Sequence, residues 1–225
     1  MTNILFIGNS YTYYNDMPVI LSAIADSMGI ETSVKSIVKG GATLEWHLTA
    51  NENGNIVPFD ELRSGGYDFV VLQEQSDRPA VAPEAFLAPA KTLCDEARKN
   101  GASPVFYSTW AKKEGHANLE KFSMTREEMA EKLADSYKKA AKASNGRLAP
   151  VGKAFMTLSE DHPEIELYNP DGSHPSYEGS YLAALIMLAV IFDVDPEDCT
   201  FTGELEESRA RILRKAAKDA VFSAE

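Results

Sequence analysis

Apolar residues fall along this chain in two alternating rhythms. Residues 4–7 (Ile-Leu-Phe-Ile) form an unbroken apolar run, the pattern of a strand buried on both faces. Val19, Ile20, Ala23, Ile24 and Met28 then recur at helical spacing and Gly29 closes the stripe, which predicts a helix over residues 18–28. Residues 34–38 alternate around Lys35 and Ser36 as a second strand, which runs into Lys39-Gly40-Gly41-Ala42. Third, fourth and fifth strands are expected over residues 67–72, 104–110 and 148–151. Between them, residues 82–100 carry Phe86, Leu93, Cys94 and Ala97 on a helix that Pro89 either kinks or begins. Residues 125–144 form another helix, opened by the capping-box pair Thr125 and Glu128. Residues 176–192 are apolar nearly all round, so that helix should be well buried, and residues 204–221 form an amphipathic closing helix.

Strands interleaved with helices argue for an α/β fold: a three-layer α/β/α sandwich around a five-stranded parallel sheet. The flavodoxin-like strand order 2-1-3-4-5, with right-handed crossovers, is the simplest arrangement. There is no internal repeat, low-complexity tract or linker, so residues 1–225 read as a single domain. The longest irregular stretches, residues 50–58 and 111–123, are candidate rim loops. In such sheets ligands bind beyond the carboxyl ends of the strands where the strand order reverses, here between strands one and three.

Charge narrows the partners. A net charge of −12 argues against nucleic acid and against anionic membrane surfaces, and no segment approaches transmembrane length. Residues 1–7 lack a basic region and are too short for a signal core, so a cytoplasmic location is expected, or secretion had a signal been removed. Cys94 and Cys199 are too few for a disulfide framework and read as small buried residues. There is no zinc motif, phosphate loop or dinucleotide fingerprint, so neither metal nor cofactor is expected. His47, His116 and His162 lack partners at metal-ligand spacing and read as surface or capping residues.

Two short motifs at opposite ends of the chain carry candidate chemistry. Gly8-Asn9-Ser10 follows the first strand, and Asp171-Gly172-Ser173-His174 precedes the buried helix. A serine just past a strand, with an aspartate and a histidine from one distant loop, is the parts list of a nucleophilic hydrolase. Each motif alone is an ordinary turn. Together with Gly40-Gly41 after strand two and Gln73-Glu74-Gln75-Ser76 after strand three, they converge on one edge of the sheet, which sheet stability does not require. The Asp-x-x-His spacing lets the carboxylate reach the imidazole Nδ1–H. Pro175 suits a first helical turn, which puts His174 at the mouth of the following helix. That helix end disfavours the imidazolium, while Asp171 favours it.

These blocks resemble the SGNH (GDSL-type) hydrolase superfamily, esterases and acetylesterases among them, over residues 3–192. The resemblance implies Ser10 as nucleophile, His174 as general base, Asp171 as its orienting acid and Gly41 as the oxyanion glycine. Two blocks depart from the family: Gly-Asn-Ser stands where Gly-Asp-Ser is usual, and Gln-Glu-Gln-Ser where Gly-x-Asn-Asp is usual. Glutamine carries the amide N–H of the missing asparagine on a longer stem. Gln75 aligns with that asparagine, so Ser10, Gly41 and Gln75 are expected to form the oxyanion hole, with Gln73 as the fallback donor. Asn9, Gln73, Glu74, Arg78 and Trp110 are the candidate pocket lining, Glu74 also for substrate recognition. For Trp46, Trp110 and Arg78, ordinary packing or a surface ion pair stays equally open. The expected activity is hydrolysis of small carboxylic esters, acetyl esters of sugars first among them, through an acyl-enzyme on Ser10. The alternatives are a non-catalytic α/β module binding a small polar or phosphorylated ligand at the same switch point, and acyl transfer to an alcohol by the same triad.

Overall fold

The computed structural model describes residues 1–49 and 58–223. In chain order the elements are β1 (Thr2–Gly8), α1 (Ser10–Tyr13), α2 (Met17–Ser27), β2 (Thr32–Val38), α3 (Leu44–Leu48), α4 (Pro58–Ser64), β3 (Phe69–Leu72), α5 (Arg78–Val81) and α6 (Pro83–Lys99). Then come β4 (Ser103–Tyr107), α7 (Ala117–Lys121), α8 (Arg126–Ala143), β5 (Arg147–Ala149), α9 (Val151–Asp161), α10 (Tyr177–Phe192) and α11 (Glu207–Phe222). The strands form one parallel sheet in the expected order β2-β1-β3-β4-β5.

Side chains alternate across each strand, and both faces of the central strands β1, β3 and β4 are covered, which is why those strands read as continuous apolar runs. Ile4, Phe6, Val71, Val105 and Tyr107 share one buried cluster with α2, α9, α10 and α11. Leu5, Ile7, Val70, Leu72 and Phe106 face the other way, into α3, α6 and α8. Helix α10 packs against α2, α9 and α11 as well as the sheet, so its apolar residues have a neighbour on every side. The register sets Gly8 opposite Val38 and Ile7 opposite Leu72, so the chain leaves β1, β2 and β3 at one level on one edge.

Several boundaries differ from the sequence pattern. Pro89 lies inside α6, which starts at Pro83, and burial of Phe86, Ala90 and Leu93 holds the helix together across it. Strand β4 ends at Tyr107, and Trp110 turns into the core rather than extending the sheet. Strand β5 ends at Ala149. Val151, expected to close that strand, instead opens α9, whose buried Val151, Ala154, Phe155 and Leu158 form a helical stripe. Pro175 does not enter α10; it bridges to Tyr168, and Ser176 caps the helix. Of the expected rim loops, residues 50–57 lie outside the described residues, and residues 111–123 contain α7. Thr125 and Glu128 do form a capping box, with bonds of 3.2 and 2.9 Å. Both cysteines are buried and free. Among the described residues no helix is long and apolar enough to cross a membrane.

Candidate active site

The site begins at a glycine that tolerates no side chain. A Cβ on Gly8 would sit 2.6 Å from Thr12 Oγ1 and 2.7 Å from Gln73 Oε1, so the last residue of β1 must be glycine for the loop to close. Asn9 follows, almost wholly buried, and its side chain works at both ends. Its Oδ1 accepts from Tyr11 N at 3.1 Å and caps α1, while its Nδ2 donates to Ala42 O at 2.9 Å. Its backbone N–H donates to Gln73 Oε1 at 2.9 Å, and Thr12 Oγ1 donates to the same oxygen at 2.9 Å. The loops after β1, β2 and β3 are thereby pinned to one another, with Ser10 at the first position of α1.

The second motif arrives from the far end of the chain. Asp171 Oδ1 accepts the backbone N–H groups of Ser173 and His174, each at 2.9 Å. Gly172 makes the intervening turn at φ +66°. His174 Nδ1 lies 2.6 Å from Asp171 Oδ2 and its Nε2 lies 2.9 Å from Ser10 Oγ. A carboxylate can only accept, so Nδ1 carries the ring proton and Nε2 is left to accept from the serine. Burial pushes the Asp171 carboxyl up, but the His174 ring and the two backbone N–H groups outweigh it and hold the acid below its usual range. The imidazole stacks on Tyr14 at 4.2 Å between ring centroids and meets the edge of Tyr11.

Ser10 and His174 open onto a hollow of about 300 Å³, within the range of small-ligand sites. Asn9, Gly41 and Gln75 line it. Gly41 holds φ +71°, a left-handed conformation that glycine adopts freely. Gln75 Oε1 is spent on the N–H groups of Asp77 and Arg78, both at 3.1 Å, so its amide nitrogen faces Ser76, whose Oγ is 3.2 Å away. Larger hollows of about 620 and 700 Å³ lie between α9 and α11 and between α6 and α8, but in neither is a serine bonded to a histidine.

Four residues expected at the lining stand elsewhere. Gln73 is fully buried, its oxygen holding Asn9 and Thr12 and its nitrogen donating to Glu74 O, so it is not available as an oxyanion donor. Glu74 is also fully buried; its carboxylate accepts from Leu44 N at 3.2 Å and Gln75 N at 2.6 Å. Burial pushes its pKa up to about 7 despite those donors. Arg78 reaches out to Glu45. Trp110 is stacked between Tyr11 and Phe155, at 4.6 and 4.1 Å, and its Nε1–H donates to Ser173 O at 3.0 Å. It backs the His174 loop instead of facing the hollow.

The histidines divide. His162 pairs with Glu164 on the surface. His47, expected at the surface, is buried against β1; its Nε2–H donates to Gly8 O at 2.8 Å, and burial lowers its pKa. His116 caps α7 through Nδ1 and also lines the hollow, its pKa lowered by burial and by Lys112.

Sequence reasoning missed Lys112. This side chain is buried at the wall of the hollow, bonded to Tyr11, Ser76 and Ser173 and paired with Asp77. Its neighbour Lys113, by contrast, pairs with Glu166 at the surface. Nothing in Lys112-Lys113-Glu114 separates the buried lysine from the solvated one.

No protein-family model and no curated protein matches the sequence. Among solved structures, the chain is similar to a protein of the SGNH hydrolase type from Slackia heliotrinireducens, at 38% identity and TM-score 0.73, over 84% of this chain and 98% of that one. A DUF4886 family protein from Bacteroides uniformis superposes over 99% of this chain and 95% of its own with TM-score 0.85 at 18% identity. An acetylxylan esterase from Geobacillus stearothermophilus does so over 85% and 94%, with TM-score 0.61 at 16% identity. The last two likenesses are likenesses of fold.

Proposed function

This chain belongs to the SGNH hydrolases, and from that premise we propose that it cleaves small carboxylic esters, acetyl esters of carbohydrates first, through an acyl-enzyme on Ser10. The observation that carries this reading is the unbroken run Ser10 Oγ–His174 Nε2–Asp171, at 2.9 and 2.6 Å, opening onto a hollow.

In the proposed reaction Ser10 Oγ attacks the ester carbonyl as its proton passes to His174 Nε2. Asp171 stabilises the imidazolium, and the face of Tyr14 beneath the ring adds to this. The tetrahedral oxyanion takes hydrogen bonds from the backbone N–H groups of Ser10 and Gly41 and from the Gln75 amide, donors that stand ready before charge develops. The intermediate collapses, the C–O bond to the alcohol breaks, and His174 returns the proton to the leaving alkoxide. Water then attacks the acyl-serine with His174 again as base, releasing the carboxylic acid and restoring Ser10. A likeness in fold to an acetylxylan esterase, and a hollow sized for a short acyl group, support the acetylated-carbohydrate substrate.

A fluorophosphonate probe read by intact mass tests the mechanism. One adduct per chain mapped to Ser10, and none on Ser10→Ala, is the expected result. A folded protein that takes no adduct would overturn the reading.

A further inference from the structure

The loop after β4 buries a cation beside the nucleophile, and a count of its protons gives it a task. Lys112 is 3% exposed. Its ammonium has three N–H donors and no acceptor. Three hydroxyl oxygens take them: Ser173 Oγ at 2.7 Å, Tyr11 OH at 2.8 Å and Ser76 Oγ at 2.9 Å. Each of these oxygens therefore accepts from Lys112, and each must turn its own proton elsewhere.

Ser76 Oγ also accepts from Gln75 Nε2, so its proton has neither of these neighbours to go to. Tyr11 OH and Ser173 Oγ stand 2.8 Å apart, so one donates to the other and a single proton is left over between them. Asp77 Oδ1 lies 3.3 Å from the ammonium and has no hydrogen-bond partner among the described residues, so it absorbs neither proton. Tyr11, Ser76 and Ser173 all line the hollow that holds Ser10 and His174. The wall next to the nucleophile thus offers two hydroxyl protons in need of acceptors. Asp77 balances the charge of Lys112, so the recess is polar without being an anion trap.

We propose that Lys112 is a positioning residue for substrate specificity. By occupying the lone pairs of Ser76, Tyr11 and Ser173, it turns their protons toward hydroxyl or ether oxygens flanking the scissile ester. It thereby favours esters of polyhydroxyl compounds over plain alkyl or aryl esters. Without the ammonium, the three hydroxyls are free to bond to one another and withdraw those protons. The inference rests on the ester-hydrolase reading of Ser10.

The test is a ratio. kcat/KM is measured for a mono-O-acetyl methyl xyloside and for p-nitrophenyl acetate, which carries no flanking hydroxyl. The sugar-to-aryl ratio should fall at least about tenfold in Lys112→Met, and about fivefold in Ser76→Ala, which removes a donor to a neutral acceptor. A role confined to structure lowers both rates together, so a ratio unmoved in both variants overturns the proposal. Lys112→Met strands the Asp77 carboxylate; should it fail to fold, Ser76→Ala keeps the ion pair intact and an unmoved ratio there overturns the proposal alone. Ser10-dependent turnover with an unmoved ratio sinks only the role of Lys112. Absence of any Ser10-dependent turnover in the native protein sinks the ester-hydrolase reading as well.

Discussion

Replacing Asn9 by the aspartate usual in this block of the superfamily should destabilise this protein, and should do so in a pH-dependent way. The two side chains have the same shape, and the Oδ1 cap on Tyr11 N survives the change. What is lost is the Nδ2 donor to Ala42 O, 2.9 Å away in a site almost closed to water. An ionised carboxylate there faces a carbonyl oxygen, and both are acceptors. Leaving a buried acceptor without its donor costs about 1–3 kcal/mol. The new acid can escape part of this by holding a proton and donating it to Ala42 O. Its folded-state pKa then rises above the ordinary aspartate value of about 3.9. A rise of about 2 units is worth about 2.7 kcal/mol at neutral pH.

The sign follows from proton counting. Between the unfolded and folded pKa values the folded state binds more protons than the unfolded one, so stability falls as pH rises through that window. Relative to the native protein, Asn9→Asp should be weaker by about 3 kcal/mol at pH 7 and by less than about 1 kcal/mol near pH 4. Asn9→Ala removes both cap and donor but adds no titrating group, so its deficit against the native protein should be flat in pH. Urea unfolding of the three proteins across that range makes the comparison. A deficit for Asn9→Asp that is absent at pH 7, or constant with pH, would refute the account of how the loops after β1 and β2 are joined.

Ser10→Ala should lower kcat on p-nitrophenyl acetate by on the order of 10⁴-fold or more while its thermal melt stays within about a degree of native. Gln75→Ala should cost on the order of 10²-fold in kcat with little change in KM, because a donor in the proposed oxyanion hole acts on charge that appears only during attack; a change confined to KM would remove it from that hole. Glu74, with its folded-state pKa raised from 4.5 to about 7, should make the protein lose about 3 kcal/mol of stability as pH rises through that interval. Glu74→Gln should flatten that slope in denaturant titrations, and an unchanged slope would assign it to other groups.

The central strands β1, β3 and β4 were legible because both faces of the sheet are covered there and their inner residues are apolar, and edge strand β2 was legible from its alternation around Lys35 and Ser36. Helix α9 was not, because Pro150 and Val151 continue the apolar run of β5 and hide the helical stripe that starts there. The Ser10 and His174 motifs were legible because their geometry is local: a turn after a strand, and an Asp-x-x-His loop closed by its own backbone. The choice between Gln73 and Gln75 was harder. Alternation along a strand places residues two apart on one face, but β3 ends at Leu72 and that rule stops with it. Gln73 turns inward to hold Asn9, and Gln75 turns out to the hollow. Lys112 could not be read at all, since its burial depends on hydroxyls supplied by three separate stretches of chain.

That dependence bears on how the site is held in register. Ser10 and His174 are 164 residues apart in sequence, and the hydrogen bond between them is too weak to fix two loops by itself. Behind it stands a column of three rings, Tyr11, Trp110 and Phe155, stacked with 5° between planes at each step. Tyr11 belongs to the turn that carries Ser10, Trp110 to the loop after β4, and Phe155 to α9. Trp110 also donates to Ser173 O, the residue before His174, so the column grips the Ser10 turn and the histidine loop at once. Such rings are large and have few rotamers, and stacking adds about 0.5–1.5 kcal/mol per pair beyond burial. The column is therefore better suited than any surface contact to keep Ser10 Oγ within reach of Nε2. It also explains why Trp110, an apparent lining residue in the sequence, is buried: its work is on the loops, and the hollow is left to the polar groups that face it.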